Sequence, residues 1–154
     1  MRNEMQVRKA TLEDVVTLVD FGKRLTQESP VFLKQGFDEN SAADLFAYLI
    51  NKYESIFIAV DQYKNPIGTI IGVIDKDWRT GHKLAFEQGV YVLPEYRRSE
   101  TAKGLINTFV EWAKLQNADR IQLGTMTGIH ADKVVSLYEG LGFSLVGYVL
   151  EMEV

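Results

Sequence analysis

The sequence contains no cysteine. This absence excludes a disulfide framework, a thiolate nucleophile and a cysteine-based zinc site. Only two histidines are present, His82 and His130, and neither has further metal ligands at a recognisable spacing. We therefore predict no metal site, and we expect both histidines to cap loops or to lie in solvent.

An excess of positive charge is also missing, because 17 Lys and Arg residues face 21 Asp and Glu residues. A general nucleic-acid binder needs a basic surface, so we expect no nucleic-acid partner. No apolar run approaches the roughly 20 residues of a membrane span, and the first ten residues lack the apolar core of a signal peptide. These absences predict a soluble, cytoplasmic protein with no membrane partner.

The chain does have enough apolar sequence for one core. Its 154 residues are 46% hydrophobic, which predicts a single globular domain over residues 1–154 that buries about two-thirds of its unfolded surface. No internal repeat or low-complexity linker divides it.

Hydrophobic periodicity places the secondary structure. Apolar residues at helical spacing predict four helices, over 11–29, 38–53, 102–116 and 131–140. β-Branched and aromatic runs predict strands over 5–9, 55–60, 66–75, 84–93 and 121–126, and alternation over 144–154 predicts that this segment closes the sheet. The order β-α-α-β-β-β-α-β-α-β-β indicates an α/β (α+β) fold with a mixed sheet covered by helices.

Two segments carry apolar side chains outside these elements. Residues 30–37, which include Phe32 and Phe37, are too apolar for an ordinary loop. They either pack over the core as a loop or form a lid on an acceptor pocket. Trp78 either anchors the polar loop 77–82 or flanks the acceptor site.

The clearest functional signal lies in residues 90–105. A strand, 90–92, stops at a Leu-Pro pair, and a loop with Arg97, Arg98 and Lys103 then leads into an amphipathic helix. The first N–H groups of a helix have no intrahelical partner and carry the positive end of its dipole, so they bind phosphate oxygens readily. The stretch therefore predicts an anion pocket, although the two arginines could also be a plain surface pair.

The same residues resemble motif A of the GCN5-related N-acetyltransferase (GNAT) family, whose six-residue loop binds the pyrophosphate of acetyl-coenzyme A. The family loop begins with arginine or glutamine, has its first glycine at the fourth position and ends in glycine or alanine. Here Arg97 and Ala102 match its ends, whereas Glu100 stands where that glycine is usual. A carboxylate there opposes pyrophosphate binding, and the loss of glycine removes easy access to positive φ.

A second anchor, residues 137–143 (LYEGLGF), resembles the end of the family's motif B. Two anchors in the right order, about 40 residues apart, are much more specific than either alone. The resemblance covers nearly the whole chain and implies the acetyltransferase fold, a mixed central sheet of about seven strands flanked by four helices.

The resemblance also implies roles for single residues. A tyrosine at the position of Tyr138 commonly protonates the leaving thiolate of the coenzyme, although Tyr138 also lies on the apolar face of its helix, where a phenol is often part of the core. The family often has an asparagine seven residues earlier that contacts the coenzyme. Ala131 occupies that position here, so this contact is not carried over.

Acyl transfer to an amine also needs a base or a water relay, because alkylammonium groups titrate near pH 10. Glu87 is the candidate base, with a water near Gln88 as a relay; the alternative is a solvated or salt-bridged glutamate. Some relatives place a glutamate at the position of Gln88, and a shift of one residue along a strand moves a side chain to the opposite face.

The resemblance further implies that the splayed strand end 90–92 offers backbone groups to the pantetheine amides. There the Val92 N–H would polarise the thioester carbonyl, as in an oxyanion hole. The candidate cofactor-binding residues are Val90, Tyr91, Val92, Arg97, Arg98, Ser99, Glu100, Thr101, Ala102, Lys103 and Tyr138.

These observations predict an acetyl-coenzyme-A-dependent N-acetyltransferase that acts by direct transfer, with no metal, on a primary amine of a small molecule or a protein. The acidic balance fits cationic acceptors such as polyamines, aminoglycosides or lysine side chains, and a homodimer is compatible with the family. One alternative is a non-catalytic acyl-coenzyme-A-binding or protein-interaction module with a degenerate cofactor loop. Another is an enzyme that uses a different acyl-coenzyme A.

Overall fold

The computed structural model describes residues 5–154. The expectations for the amino terminus and for a domain starting at residue 1 rest partly on residues 1–4, which lie outside this range. The helices are α1 (Val15–Glu28), α2 (Pro30–Gln35), α3 (Glu39–Tyr53), α4 (Thr101–Leu115) and α5 (Ala131–Gly140). The strands are β1 (Gln6–Lys9), β2 (Ile56–Val60), β3 (Pro66–Lys76), β4 (Lys83–Val92) and β5 (Arg120–Gln122).

The strands form one mixed sheet in the order β1-β2-β3-β4-β5. The pairs β1–β2, β2–β3 and β3–β4 are antiparallel. The pair β4–β5 is parallel, because α4 carries the chain back across the sheet. The predicted fold class, a mixed sheet flanked by helices, is confirmed. No helix within residues 5–154 combines the length and the apolar character that crossing a bilayer requires.

The core lies in two layers, one on each face of the sheet. All five residues of β2 are buried, and they alternate between the layers as the two-residue period of a strand requires. Phe57 and Ala59 join the cluster under α4, whereas Ile56, Ile58 and Val60 join the cluster under α1 and α3. The sheet is therefore a buried middle layer that holds side chains in fixed directions on both faces.

The predicted helix starts are present. The Asp14 carboxylate accepts a hydrogen bond from the Thr11 N–H at 2.7 Å, as in a capping box. Asp38 caps α3 by accepting from the Ser41 N–H at 2.9 Å. The first cap starts a short 3-10 turn (Leu12–Asp14) that leads into α1, and the second starts α3 itself.

A β-bulge interrupts the pairing of β3 with β4. Ile71 pairs with Gly89 and Gly72 pairs with Glu87, so Gln88 is an extra residue on β4. A separation of seven residues would place two side chains on opposite faces of a regular strand. The inserted residue lets Ala85 and Val92 both face the α4 layer. The same shift puts Glu87 on the α4 face and leaves Gln88 exposed.

Four local predictions are wrong. Residues 144–154 form no strand, so the described sheet has five strands and not seven; the segment leaves α5 at Gly142 (φ +101°) and has no strand beside it. Residues 30–35 form the short helix α2, because Ser29 caps it and Pro30 suits its first turn. Trp78 is 90% exposed and so anchors nothing. The predicted strand 121–126 ends at Gln122, where the pairing with β4 ends.

The two glycines beside the bulge make a matched pair for testing its packing. A Cβ on Gly72 would lie 2.7 Å from Phe109 Cε1 and 3.0 Å from the Ser55 carbonyl oxygen, whereas a Cβ on Gly89 has its nearest neighbour at 4.0 Å. We expect Gly72→Ala to lower the free energy of unfolding by about 1–3 kcal/mol. Gly89→Ala should change it by less than about 0.5 kcal/mol. Urea unfolding measures both, and equal effects would contradict the close packing at Gly72.

Candidate active site

The site is built where β4 and β5 part. The two strands pair only over Leu84–Arg120, Ala85–Ile121 and Phe86–Gln122. From residue 87 to residue 92, β4 keeps β3 on one side, and no strand of the described chain lies on the other. The opening between the second half of β4 and the loop 123–130 is called the fork below.

Backbone groups of β4 point into the fork. The Leu93 N–H donates to the Ile67 carbonyl at 2.9 Å, which makes Val92 a member of a non-hydrogen-bonded pair with β3. Alternation then directs the N–H and C=O groups of Val90 and Val92 away from β3, and those of Tyr91 towards it. Of the three predicted strand positions, two thus present their backbone to the open side.

The Glu87 carboxylate bridges the fork. Its Oε1 accepts a hydrogen bond from the Gly124 N–H at 2.8 Å, one step beyond the last backbone pair. Burial raises the pKa of Glu87 to about 7, and the Gly124 N–H opposes this rise. No salt bridge to Glu87 forms within residues 5–154. The carboxyl is therefore neither freely solvated nor ion-paired, and its pKa suits proton transfer near neutral pH.

Tyr138 interacts electrostatically with this carboxylate. It sits on α5, partly buried against the α4 core layer. Burial raises the pKa of the Tyr138 phenol, and the negative charge of Glu87 raises it further. The phenol is therefore held in its protonated form beside a carboxylate that titrates near pH 7.

Ser99 fixes the loop in front of α4. Its hydroxyl donates to the Tyr96 carbonyl, lies 2.8 Å from Thr101 Oγ1 and accepts from the Thr101 N–H at 3.3 Å. Thr101 is 1% exposed. Ser99 and Thr101 thus hold the helix entrance from within, and their hydroxyls are occupied by the loop.

The next amides of α4 are free to take an acceptor. Gly104 is the residue whose N–H reaches back to the Glu100 carbonyl, at 2.9 Å. The N–H groups of Ala102 and Lys103 precede it and have no intrahelical carbonyl to bond. They carry the positive end of a 15-residue helix dipole. These two amides lie where the sequence predicts an anion pocket.

Glu100 occupies the usual glycine position without conformational strain. Its backbone has φ −78° and ψ 5°, so no left-handed conformation is needed there. Its side chain is 83% exposed and lies 4.0 Å from Lys103 Nζ. The expected steric cost does not arise, and water and Lys103 weaken the electrostatic cost.

Arg97 is engaged by neighbouring protein groups. Its Nε donates to the Val92 carbonyl at 2.8 Å, its Nη2 lies 2.6 Å from Glu28 Oε1, and the guanidinium stacks 5.3 Å from the centre of the Tyr91 ring. The Tyr91 hydroxyl donates to the other Glu28 oxygen at 2.6 Å. Burial and the neighbouring Glu28 carboxylate raise the pKa of Tyr91 to about 12. Arg97 thus ties the loop to β4 and α1, whereas Arg98 is exposed and forms no salt bridge within residues 5–154.

The junction of α1 and α2 holds the opposite side of the fork. Ser29 is fully buried; its hydroxyl donates to the Thr127 carbonyl at 2.6 Å and accepts from the Phe32 N–H at 3.0 Å. Gly128 has φ +71°, and a Cβ there would lie 3.0 Å from Val31. The segment expected to be a core loop or a lid is therefore a helix packed against the loop 123–130.

Three contributors were missed by the sequence analysis. The sequence predicted Glu28 and Ser29 only as the end of a helix, and it predicted Gly124 as part of a strand. The Ser-Pro pair is itself a helix-start signal and could have identified α2. No sequence signal links Glu28 to Arg97, which lies 69 positions away.

The histidines lie outside this cluster. The His82 N–H donates to Thr80 Oγ1 at 3.1 Å in the β3–β4 loop. His130 is the residue before α5 and has a left-handed backbone, with φ 46°.

The arrangement fits a long ligand with a phosphate group at one end. The N–H groups of Val90 and Val92 line an open strand edge, a helix amino terminus follows, and the Glu87 carboxyl lies at the far end of the fork. A ligand with amide groups along its length could pair with β4 as a strand does. The Glu100 carboxylate opposes an anion at the helix end.

Residues 22–143 match the sequence profile of the acetyltransferase (GNAT) family. No curated protein sequence matches the chain.

Solved structures share the fold. The aminoglycoside N-acetyltransferase AAC(6')-Iy in complex with coenzyme A is 20% identical, with a TM-score of 0.75 over 99% of this chain and 96% of that one. An acetyltransferase from Trypanosoma brucei is 19% identical, with a TM-score of 0.71 over 98% and 100%. Glucosamine-6-phosphate N-acetyltransferase from Arabidopsis thaliana is 14% identical, with a TM-score of 0.72 over 97% and 98%.

The raised pKa of Glu87 predicts a pH dependence of stability. At pH values between 4.5, the ordinary pKa of a glutamate, and about 7, the folded chain binds more protons at Glu87 than the unfolded chain does. The contribution of Glu87 to stability therefore falls as pH rises through this window. We expect the free energy of unfolding of the wild type, relative to Glu87→Gln, to fall by about 2–3 kcal/mol between pH 5 and pH 8. Urea unfolding across this range measures it, and parallel curves would contradict the assignment.

Proposed function

The chain belongs to the acetyltransferase (GNAT) family, and from that premise we propose that it transfers an acetyl group from acetyl-coenzyme A directly to a primary amine. The observation that carries the proposal is the Glu87 carboxyl, which the Gly124 N–H fixes at the fork. A carboxyl with a pKa near 7 can accept a proton, and a phenol with a raised pKa has one to give.

The coenzyme fits the open side of β4. The N–H and C=O groups of Val90 suit the amides of its pantetheine arm, since the Val92 carbonyl already accepts from Arg97. The amides of Ala102 and Lys103 suit its pyrophosphate. Arg98 adds positive charge from the surface of the loop. Arg97, held by Glu28, acts through the loop by fixing its position.

Acetyl-coenzyme A supplies the thioester whose acetyl group moves to nitrogen. Glu87 accepts a proton from the acceptor ammonium, so that the neutral amine can form the new C–N bond. The Val92 N–H polarises the acetyl carbonyl. As the C–S bond breaks, the Tyr138 hydroxyl donates its proton to the leaving sulfur.

Glu87 also controls Tyr138 in this scheme. The negative charge of Glu87 is one cause of the raised phenol pKa. When Glu87 accepts the amine proton, its negative charge is neutralised. The pKa of the Tyr138 phenol then falls, which makes the phenol a stronger acid than before. The same proton transfer therefore produces the neutral amine nucleophile and makes the Tyr138 phenol a better proton donor.

The acceptor is proposed to be a cationic amine of a small molecule or a protein. The net charge of −4 favours approach of such molecules. Two of the structural neighbours act on aminoglycosides or glucosamine 6-phosphate according to their names, and both are small amine or amino-sugar substrates. The side of the fork bordered by α2 is the proposed route of entry. We place the protein in the cytoplasm, where acetyl-coenzyme A is made available to such enzymes.

Binding of the coenzyme is the first test. In calorimetric titration we expect micromolar affinity for acetyl-coenzyme A. Arg98→Ala should weaken it by about 1–3 kcal/mol, the value of a charged hydrogen bond. Glu100→Gln should strengthen it by less than about 1 kcal/mol, because the carboxylate is exposed and screened.

Pantetheine is the control ligand, since it lacks the pyrophosphate. Its affinity should be the same for the wild type and Arg98→Ala. Equal loss for both ligands would mean that Arg98 acts on the fold. No binding of acetyl-coenzyme A by the wild type at millimolar concentration would overturn the proposed function.

Turnover is the second test. The chain has no cysteine, so a thiol reagent reports released coenzyme A without background from the enzyme. With a panel of aminoglycosides, polyamines and lysine peptides, we expect acceptor-dependent thiol release. Glu87→Gln should lower kcat about 100-fold or more and Tyr138→Phe at least about tenfold, the scale of general acid–base catalysis.

Both variants should bind acetyl-coenzyme A within about twofold of the wild type, because neither side chain lies at the helix entrance. Unchanged turnover in Tyr138→Phe would return Tyr138 to a packing role. Tight binding without turnover of any amine would favour a coenzyme-binding module instead.

A further inference from the structure

Glu28 places a carboxylate where its own helix disfavours one. It is the last residue of α1, and the last turn of that helix carries no basic residue. The carboxyl end of a helix carries the negative end of the dipole, so a carboxylate there is unfavourable for the helix. The side chain is also only 31% exposed. The charge of Glu28 therefore does not stabilise α1, and the groups that bind it lie outside the helix.

Both oxygens of Glu28 bind groups that hold one short stretch of β4. Oε2 accepts a hydrogen bond from the Tyr91 hydroxyl at 2.6 Å, and Oε1 lies 2.6 Å from Arg97 Nη2. Arg97 in turn donates from Nε to the Val92 carbonyl at 2.8 Å. One carboxylate thus holds two successive residues of β4, Tyr91 through its side chain and Val92 through its backbone.

The peptide unit between these two residues contains the Val92 N–H. This unit is planar, and its carbonyl, that of Tyr91, faces β3, so its N–H points into the fork. β5 does not pair with this part of β4, because the parallel ladder ends at Phe86. The contacts from Glu28 therefore stand in for the ladder hydrogen bonds that fix both sides of an interior strand.

Apolar packing alone leaves the direction of this peptide less well fixed. Tyr91 is 5% exposed and lies against Phe21 of α1, with ring centroids 5.5 Å apart, whereas Val92 belongs to the α4 layer. Such contacts are non-directional, whereas a hydrogen bond fixes both distance and angle. The hydrogen bond from Tyr91 to Glu28 and the Arg97 guanidinium, 5.3 Å from the ring centre, supply that direction.

We propose that Glu28 is a positioning residue for acetyl transfer: through Tyr91 and Arg97 it fixes the Val92 N–H in the direction from which that group polarises the thioester carbonyl. This role rests on the proposed function and adds to it a residue that acts through two others. A donor to the developing oxyanion is effective only when it is preorganised. A displacement of about 1 Å can lower a rate about 100-fold.

Infrared difference spectroscopy tests the direction of the Val92 N–H without turnover. The probe is acetyl-coenzyme A with an isotope label at the thioester carbonyl. Bound to the wild type, its carbonyl stretch should lie at a lower frequency than in solution, because an accepted hydrogen bond weakens the C=O bond. Glu28→Ala should lose most of this shift. Glu28→Gln should lose less, because its amide oxygen can still accept from Tyr91.

The matched control is Asp20→Asn. Asp20 is a carboxylate on the same helix that pairs with Arg24 at the surface, where both side chains are about half exposed. Its substitution makes the same change in net charge as Glu28→Gln. The wild-type carbonyl shift and turnover should both be kept in this variant, and circular dichroism should show that every variant is folded.

Kinetics separate positioning from a general loss of packing. With the most active amine of the acceptor panel, Glu28→Ala should lower kcat about tenfold to 100-fold and change the KM of the amine little. Tyr91→Phe keeps the ring against Phe21 and should cause a smaller loss. Adding Tyr91→Phe to Glu28→Ala should cause no further loss, because the hydroxyl has then already lost its partner. Losses that multiply would show that Glu28 does not act through Tyr91.

The outcomes distinguish this role from the proposed function. A carbonyl shift that is equal in the wild type, Glu28→Ala and Glu28→Gln would overturn the positioning role and leave acetyl transfer intact. A wild type that binds no acetyl-coenzyme A, or binds it without a carbonyl shift, would contradict the proposed function and this role with it. If Glu28→Ala does not fold, Glu28→Gln and Tyr91→Phe decide the question by the same two measurements.

Discussion

The structure depends on the early separation of two parallel strands. β4 must be paired with β3 along its length and yet be free of β5 beyond residue 86. Unpaired backbone groups inside a protein are unfavourable unless something else bonds them. The bulge at Gln88, the hydrogen bond from Gly124 to Glu87 and the hydrogen bond from Arg97 to Val92 all lie along this part of β4, which β5 does not pair with. The candidate site is thus the place where the sheet leaves its own hydrogen bonds incomplete.

Glu87 shows how the same burial acts on stability and on chemistry. Burial holds the pKa of the Glu87 carboxyl at about 7, so its ionised form weakens the fold at neutral pH. The one hydrogen bond from Gly124 limits this loss and also fixes the direction of the carboxylate. A position chosen for stability alone would carry an uncharged side chain here.

Local patterns predicted most of the fold, because helical periodicity and capping residues act within a few positions. The helix 131–140 was predicted with its observed bounds. The bulge was not foreseen, since strict alternation cannot show where one residue is inserted. The contact of Glu28 with Arg97 was also missed, because it depends on how distant elements pack. For residues 144–154, alternation predicted a strand that the structure does not have, because alternation within a segment cannot show whether a sheet edge pairs with it.

Two successive residues at the end of α1 hold the two sides of the fork. Glu28 reaches the β4 side through Tyr91 and Arg97, and Ser29 reaches the other side through Thr127. Consecutive Cα atoms are about 3.8 Å apart and joined by a rigid peptide unit. The single peptide unit between Glu28 and Ser29 therefore sets the width of the fork. A ligand would meet an opening of preset width, and little conformational entropy would be lost in shaping it.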